Sequence, residues 1–225
     1  MIQLKINGID VSVDRGTTVL EASQFLGLPI PTLCHMEGLT PYGACRLCVV
    51  EIGDAPNSRL VTSCTYPAEE GLKVRTSSAR VVRARKIIVE LLLASCPQSK
   101  TIQDIAAALG VRQQRFRQEH DDCILCGRCV RMCSEQMMAG AIGFTGRGQD
   151  RAIGTPFGSH SEVCRLCGGC IYVCPACELR CTYTEPDKAI CGGCANLTPP
   201  CVDKPQFDDM MCYMQPCVAC EIKKD

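Results

Sequence analysis

Tryptophan is absent from this sequence, and five tyrosines and five phenylalanines are its only large aromatic residues. A core built in the ordinary way, from aromatic and aliphatic burial, is therefore thin, and something else must help to order the chain. Neither sign of charge is in excess, with 24 basic against 24 acidic side chains. No overall basic field points to nucleic acid or to an anionic membrane surface. Long apolar runs are missing too: the most apolar stretch, Ile87–Ala94, covers eight positions and is interrupted by Glu90, where a membrane span needs about 20. The opening MIQLKINGID alternates apolar and polar residues and has no secretory h-region. The expectation is a cytoplasmic chain without a membrane span.

What is abundant is cysteine, 21 in 225 residues, several times ordinary usage. In a reducing compartment that density serves metal rather than disulfides. The odd count also fits a disulfide framework poorly. The length suits one large domain or two to three small ones.

Residues 2–6 and 9–13 alternate around Asn7-Gly8, which predicts a hairpin with a type I′ turn. Thr17 or Thr18 can cap a short helix from Val19 to Leu26, stopped by Gly27 and Pro29. Short strands are expected near Cys48–Ile52 and Leu72–Val74, so the first 80 or so residues form a small α+β domain. Residues 78–94 read as a helix with Val81, Val82, Ile88, Leu91 and Leu92 on its apolar side. Arg80, Arg83, Arg85 and Lys86 line the polar side, either solvated or facing a partner. A second short helix spans Thr101–Leu109, and Arg112–Asp122 looks like a linker. From Cys123 onward regular periodicity is lost.

The first cysteine group is Cys34-x10-Cys45-x2-Cys48-x15-Cys64. A Cys-x2-Cys pair returns two thiolates to one metal. The long first gap makes a loop in which Gly38, Gly43 and Ala44 let backbone amides approach sulfur, and such contacts help to set a reduction potential. An iron–sulfur centre and a four-cysteine zinc site both fit this set. His35 is either a loop contact or a ligand, and four cysteines already suffice. The strongest signal is a run that occurs twice: Cys123-x2-Cys126-x2-Cys129-x3-Cys133 and Cys164-x2-Cys167-x2-Cys170-x3-Cys174-Pro175. In bacterial ferredoxins the first three cysteines of such a run hold one [4Fe–4S] cluster and the fourth reaches to the other. The pattern assigns Cys123, Cys126, Cys129 and Cys174 to one cluster, and Cys164, Cys167, Cys170 and Cys133 to its neighbour.

PTLCHMEG, GACRLCVVE, CILCGRCVRMC, AIGF and RGQDRAIGTPF resemble the iron–sulfur diaphorase subunit of NAD-reducing nickel–iron hydrogenases. They are also similar to the N-terminal part of the large iron–sulfur subunit of respiratory complex I and of multi-cluster iron-only hydrogenases. The resemblance covers about residues 1–180. It implies a β-grasp [2Fe–2S] ferredoxin domain followed by a dicluster [4Fe–4S] domain. With the helices and cysteines read above, the expected divisions are 1–77 and 123–181 for these two, a helical connector at 78–122 and a cysteine-rich tail at 182–225. It also implies a flavin subunit that exchanges electrons with this chain. These relatives carry a further cluster between the domains, held by one histidine and three cysteines. LLLASCPQSKTIQDIA offers Cys96 alone there, so that cluster is expected to be missing and Cys96 to be a buried thiol rather than a ligand.

The end of the chain departs as well, with Cys177, Cys181, Cys191, Cys194, Cys201, Cys212, Cys217 and Cys220. Cys191-Gly-Gly-Cys194 and Cys217-Val-Ala-Cys220 are two knuckles near zinc-ribbon spacing. One or two four-cysteine sites are expected, holding zinc as a clamp or [4Fe–4S] clusters as an extension of the electron path. Nothing in the sequence makes a G-x-G-x-x-G dinucleotide fingerprint or a hydrolytic set. The expectation is an electron-transfer subunit rather than a catalyst by itself. It would relay single electrons between an NAD(H)-linked flavin subunit and a catalytic subunit of hydrogenase or formate dehydrogenase type, in a hetero-oligomer. A bifurcating complex is one form of such an assembly. A free-standing multi-cluster ferredoxin and a zinc-stabilised binding module are the competing readings.

Overall fold

Asn7 (φ 51°) and Gly8 (φ 87°) both take the left-handed conformation. They join β1 (Ile2–Ile6) to β2 (Ile9–Val13), which pair antiparallel from Ile2↔Val13 to Ile6↔Ile9. Two positive φ angles in a two-residue turn match the right-handed twist of the strands, as the Asn-Gly signal predicts. The computed structural model describes residues 1–112, 115–117, 123–159 and 161–176.

β3 (Val49–Ile52), β4 (Arg59–Thr62) and β5 (Lys73–Arg75) complete a five-stranded sheet in the order β2-β1-β5-β3-β4. β5 runs parallel to β1 and the other pairings are antiparallel. The helix α1 (Val19–Phe25) buries Val19, Leu20 and Ala22 against Leu4, Ile6, Val11, Val50, Ile52 and Val74 of the sheet. Each of the larger side chains contributes about 1.5–3 kcal/mol when fully buried. This mixed sheet with a helix across it is the expected α+β, β-grasp architecture. Of the two threonines before α1, Thr18 is the cap because Glu21 stands three residues on. The Glu21 amide donates to Thr18 Oγ1 (3.3 Å) and the Thr18 amide to the Glu21 carboxylate (2.7 Å), satisfying two helix-end donors at once.

The helix α2 (Ala79–Ser95) buries Val81, Arg85 and Val89. Residues four apart fall within one narrow sector of a helix turning 3.6 residues per turn. Leu91 lies outside that sector and is 48% exposed. This corrects the sequence reading at two positions: Leu91 is not on the buried side, and Arg85 is not on the polar side with the exposed Arg80 and Arg83. Arg115, in the stretch read as a linker, pairs with Glu90 (Nε–Oε2 2.7 Å).

The chain divides into two units. Of the described residues, one unit comprises those within Met1–Met36, Pro41–Leu91 and Ile105–Arg115, and the other those within Glu37–Thr40, Leu92–Asp104 and from Phe116 to Ala176. The α3 helix (Lys100–Ala108) begins after Ser99, whose hydroxyl accepts from the Ile102 amide (3.3 Å). Further along, α4 (Arg128–Arg131) continues into a π-helical turn, Met132–Gln136. The strands β6 (Gly143–Thr145) and β7 (Ala152–Gly154) form a small antiparallel hairpin, and α5 (Gly169–Tyr172) follows. No helix among the described residues is long and apolar enough to cross a membrane.

Candidate metal centres

In the first unit the four cysteines come from three places: Cys34 after the buried Leu33, Cys45 and Cys48 from the turn that enters β3, and Cys64 just past β4. All four are buried. Arg46 (φ 61°) and Gly43 (φ 70°) bend the loop between them. A Cβ on Gly43 would stand 3.2 Å from Thr65 Cγ2, so the loop passes too close there for a larger residue to fit without a shift. The Ser63 amide and hydroxyl both donate to the Cys48 carbonyl (3.2 and 2.9 Å), tying the turn to the β4 end.

The sulfurs meet in pairs. Cys48 Sγ lies 3.3 Å from Cys64 Sγ, and the Cys34 amide donates to Cys45 Sγ (3.4 Å). Hydrogen bonds from the Cys45 and then the Cys64 thiol hold Cys34 far below the usual thiol range, and the Cys64 thiol holds Cys48 below it. The partners that keep the protons are pushed up, Cys45 by Cys34 and by burial, Cys64 by Cys34 and Cys48. Such a set is short of positive charge, and four buried thiolates can stand together only if a metal centre supplies it. Among the described residues no three histidine, cysteine, aspartate or glutamate side chains surround a single point as the ligands of one ion do.

The second unit repeats one backbone pose twice. Leu125 (φ 50°) and Gly127 (φ 69°) bend Cys123–Cys129, and Leu166 (φ 51°) and Gly168 (φ 69°) bend Cys164–Cys170 in the same way. A left-handed residue between the first two cysteines turns amides inward, and the Leu125 amide donates to Cys123 Sγ (3.4 Å). The Ala141 amide does the same for Cys133 (3.2 Å). Burial first, and then the charges of Cys174, Cys126, Cys123 and Cys170, push the Cys129 thiol up. Burial and then Cys167, Cys133 and Cys164 push Cys170 up to about 12. The charge that acts most on Cys129 is thus that of Cys174 in the other run, and Cys133 of the first run acts on Cys170 together with that residue's own run. The donor chemistry fits iron–sulfur clusters, which need thiolates in sites from which water is largely withdrawn.

Two supporting residues carry no sequence motif. Arg131 is buried and its guanidinium donates to the carbonyls of Gly127 (3.2 Å), Thr40 (2.5 Å) and Cys126 (3.4 Å), bracing the first loop. Ser99, 1% exposed, donates to the Pro175 carbonyl (2.7 Å) directly after Cys174 while capping α3. Neither role was singled out from the sequence; a serine three residues before an apolar helical position is the signal that could have found the cap. Ser99→Ala removes both bonds and leaves a buried carbonyl without this donor, at a cost of about 1–3 kcal/mol. Anaerobic denaturant unfolding is expected to show that loss, with Ser99→Thr recovering most of it. Cys96 is buried nearby in sequence, as expected, and Met137 packs at Gly169, where an added Cβ would lie 3.6 Å from Met137 Cγ. Cys177, Cys181, Cys191, Cys194, Cys201, Cys212, Cys217 and Cys220 lie outside the described residues.

Residues 1–79 match the 2Fe-2S iron-sulfur cluster binding domain, and residues 122–177 match the 4Fe-4S dicluster domain. The chain is 34% identical over 200 residues to the alpha subunit of the NADPH-Fe(3+) oxidoreductase of Geobacter sulfurreducens, covering 78% of this chain and 23% of that protein. It is 34% identical over 202 residues to a subunit of the NADH-quinone oxidoreductase of Rhizobium meliloti, with the same shares. With a subunit of the NADP-reducing hydrogenase of Solidesulfovibrio fructosivorans it shares 31% over 207 residues, 78% of this chain and 35% of the relative. The chain thus spans between about a quarter and a third of the length of these curated relatives. A crystal structure of NAD+-reducing [NiFe]-hydrogenase in the H2-reduced state superposes with a TM-score of 0.62 at 28% identity, covering 74% of this chain and 84% of that one. The resemblance carried by PTLCHMEG and the two cysteine runs is borne out. Residues 1–79 therefore belong to the [2Fe–2S] iron–sulfur cluster binding domains, and residues 122–177 to the 4Fe–4S dicluster domains.

Proposed function

We propose that this chain is the iron–sulfur relay of an NAD(P)-linked oxidoreductase complex, passing single electrons between a flavin subunit that handles NAD(H) and a catalytic subunit of hydrogenase or formate dehydrogenase type. The observation that carries the reading is the repeated loop pose of the second unit, and the charges of cysteines in each run acting on a cysteine of the other support it. Similarity to subunits of an NADPH-linked, an NADH-linked and an NADP-linked enzyme supports the nicotinamide side of the relay.

Cys34 with Cys45, and Cys48 with Cys64, are the two sulfur pairs that would hold the two irons of a [2Fe–2S] cluster. Cys123, Cys126, Cys129 and Cys174 would hold one [4Fe–4S] cluster, and Cys164, Cys167, Cys170 and Cys133 the other. When bound, these groups supply one-electron exchange, which the polypeptide has no side chain suited to perform. The chain's own part is to withdraw the thiolates from water, to aim the Cys34, Leu125 and Ala141 amides at sulfur, and to brace the loops through Arg131 and Ser63. Amide donation to sulfur spreads negative charge and favours the reduced state.

Anaerobically purified protein is expected to contain about ten iron and about ten sulfide per chain from these three clusters. One or two zinc in addition would make the eight cysteines from Cys177 to Cys220 a structural clamp. About 14 to 18 iron without zinc would make them an extension of the relay. Far fewer than ten iron in oxygen-protected protein would overturn the reading. Co-purification with a flavoprotein separates a complex subunit from a free-standing carrier.

A further inference from the structure

Arg85 is the buried cation of the first unit, 6% exposed on the inner side of α2. Its Nη2 donates to the Val49 carbonyl (2.7 Å), one peptide beyond Cys48, and its Nε is buried with no hydrogen-bond partner. No carboxylate among the described residues forms an ion pair with it. The two buried carboxylates of this unit are engaged elsewhere: Glu51 with Ser58, Arg75 and Arg80, and Glu90 with Arg115. Burying a guanidinium without a counter-charge is among the costlier arrangements a protein can make, and unlike lysine it does not escape by losing its proton.

We infer that Arg85 is the internal counter-cation of the [2Fe–2S] cluster, seated behind Cys48 to offset the charge of the four-thiolate centre and to raise its reduction potential. The inference rests on the assignment of Cys34, Cys45, Cys48 and Cys64 to that cluster. A centre of two ferric irons, two sulfides and four thiolates carries about −2, and one-electron reduction takes it to about −3. A fixed positive charge in a low-dielectric site favours the more negative state, and there it is poorly screened by salt. The balance of charges on Arg85 agrees with this placement: burial pushes its proton affinity down, and the Cys48 thiolate pulls it back up. The helix supplies the geometry. Val81 and Val89, one turn to either side of Arg85, pack α2 inward, so the arginine between them is carried inward as well.

The test is an electron-paramagnetic-resonance redox titration of the anaerobically purified full chain in three forms: wild type, Arg85→Lys and Arg85→Gln. In Arg85→Gln the reduced-to-oxidised ratio of the [2Fe–2S] signal at a fixed potential is expected to fall at least tenfold, a shift of about 59 mV for one electron. Arg85→Lys keeps the charge and is expected to stay within a few-fold of wild type. The [4Fe–4S] signals of the same samples serve as the internal reference and should not move. If Arg85→Gln fails to take up the [2Fe–2S] cluster while Arg85→Lys takes it up, the charge is required and the inference stands. If both variants lose the cluster alike, or if Arg85→Gln titrates as wild type does, Arg85 is a packing and hydrogen-bonding residue and the inference is overturned. A wild-type protein with no [2Fe–2S] signal defeats the cluster assignment itself, which is a separate failure from an unmoved potential.

Discussion

The double variant Cys123→Ser, Cys174→Ser is expected to lose about four irons per chain, no more than either single substitution. The pair Cys164→Ser, Cys174→Ser is expected to lose about eight. As in a double-mutant cycle, two substitutions at one site are not additive, and two at separate sites are. Cys123 and Cys174 stand far apart in sequence, in different runs, yet the charge of Cys174 acts on Cys129 ahead of those of Cys126 and Cys123. Cys133 likewise acts on Cys170. A ligand set confined to each run predicts the reverse result, with Cys164 and Cys174 the non-additive pair. Iron and sulfide counts on anaerobic protein decide between the two, and the reciprocal pair Cys164→Ser, Cys133→Ser repeats the test from the other side. Serine is the suitable replacement because it keeps the volume and removes the soft thiolate.

Gly146→Ala is expected to be the most damaging single substitution away from the cysteines, costing on the order of 3 kcal/mol. Gly146 sits at φ +66°, and a Cβ there would land on the Asp150 carbonyl oxygen, with the carbonyl carbon 2.9 Å away. Both obstacles are backbone, so no side-chain movement relieves them. Gly148, two residues on, also has a positive φ (+57°) but nothing within 4 Å of an added Cβ. Gly148→Ala therefore bears only the left-handed cost, about 1–2 kcal/mol. The comparison isolates the close approach. It reaches the candidate site as well, because the β6–β7 hairpin anchors Ala141 and Ile142, both buried, and the Ala141 amide donates to Cys133. The [4Fe–4S] cluster assigned to Cys133 should then be lost faster from Gly146→Ala than from Gly148→Ala on exposure to a chelator. Equal loss rates would separate the hairpin from the site.

Much of this was legible in the sequence, for local reasons. Asn7-Gly8 specifies its turn by the two residues that best tolerate positive φ, and Thr18 with Glu21 specifies a helix start by mutual hydrogen bonding. The two cysteine runs specify their loops because one spacing fits one chemistry. The features that escaped depend on partners far along the chain. β4 has no clean alternation, since it lies at the sheet edge and buries only Thr62 fully. β6 and β7 are three residues each and glycine-rich, too short to show a period. Arg85 was misplaced because composition makes an arginine a surface residue, whereas its position between Val81 and Val89 puts it inside. A helical wheel centred on Val81 and Val89 would have found it.

The action of each run's charges on a cysteine of the other, at Cys129 and Cys170, bears on how the protein fills with iron. If each four-cysteine set borrows one member from the opposite run, neither is complete until both runs have come together. Capture of the first cluster then pre-orders the second set, so the second binds more readily than the first. Under iron limitation such a chain partitions into empty and full molecules, with few carrying a single [4Fe–4S] cluster. Scarce iron is thereby concentrated in molecules able to conduct.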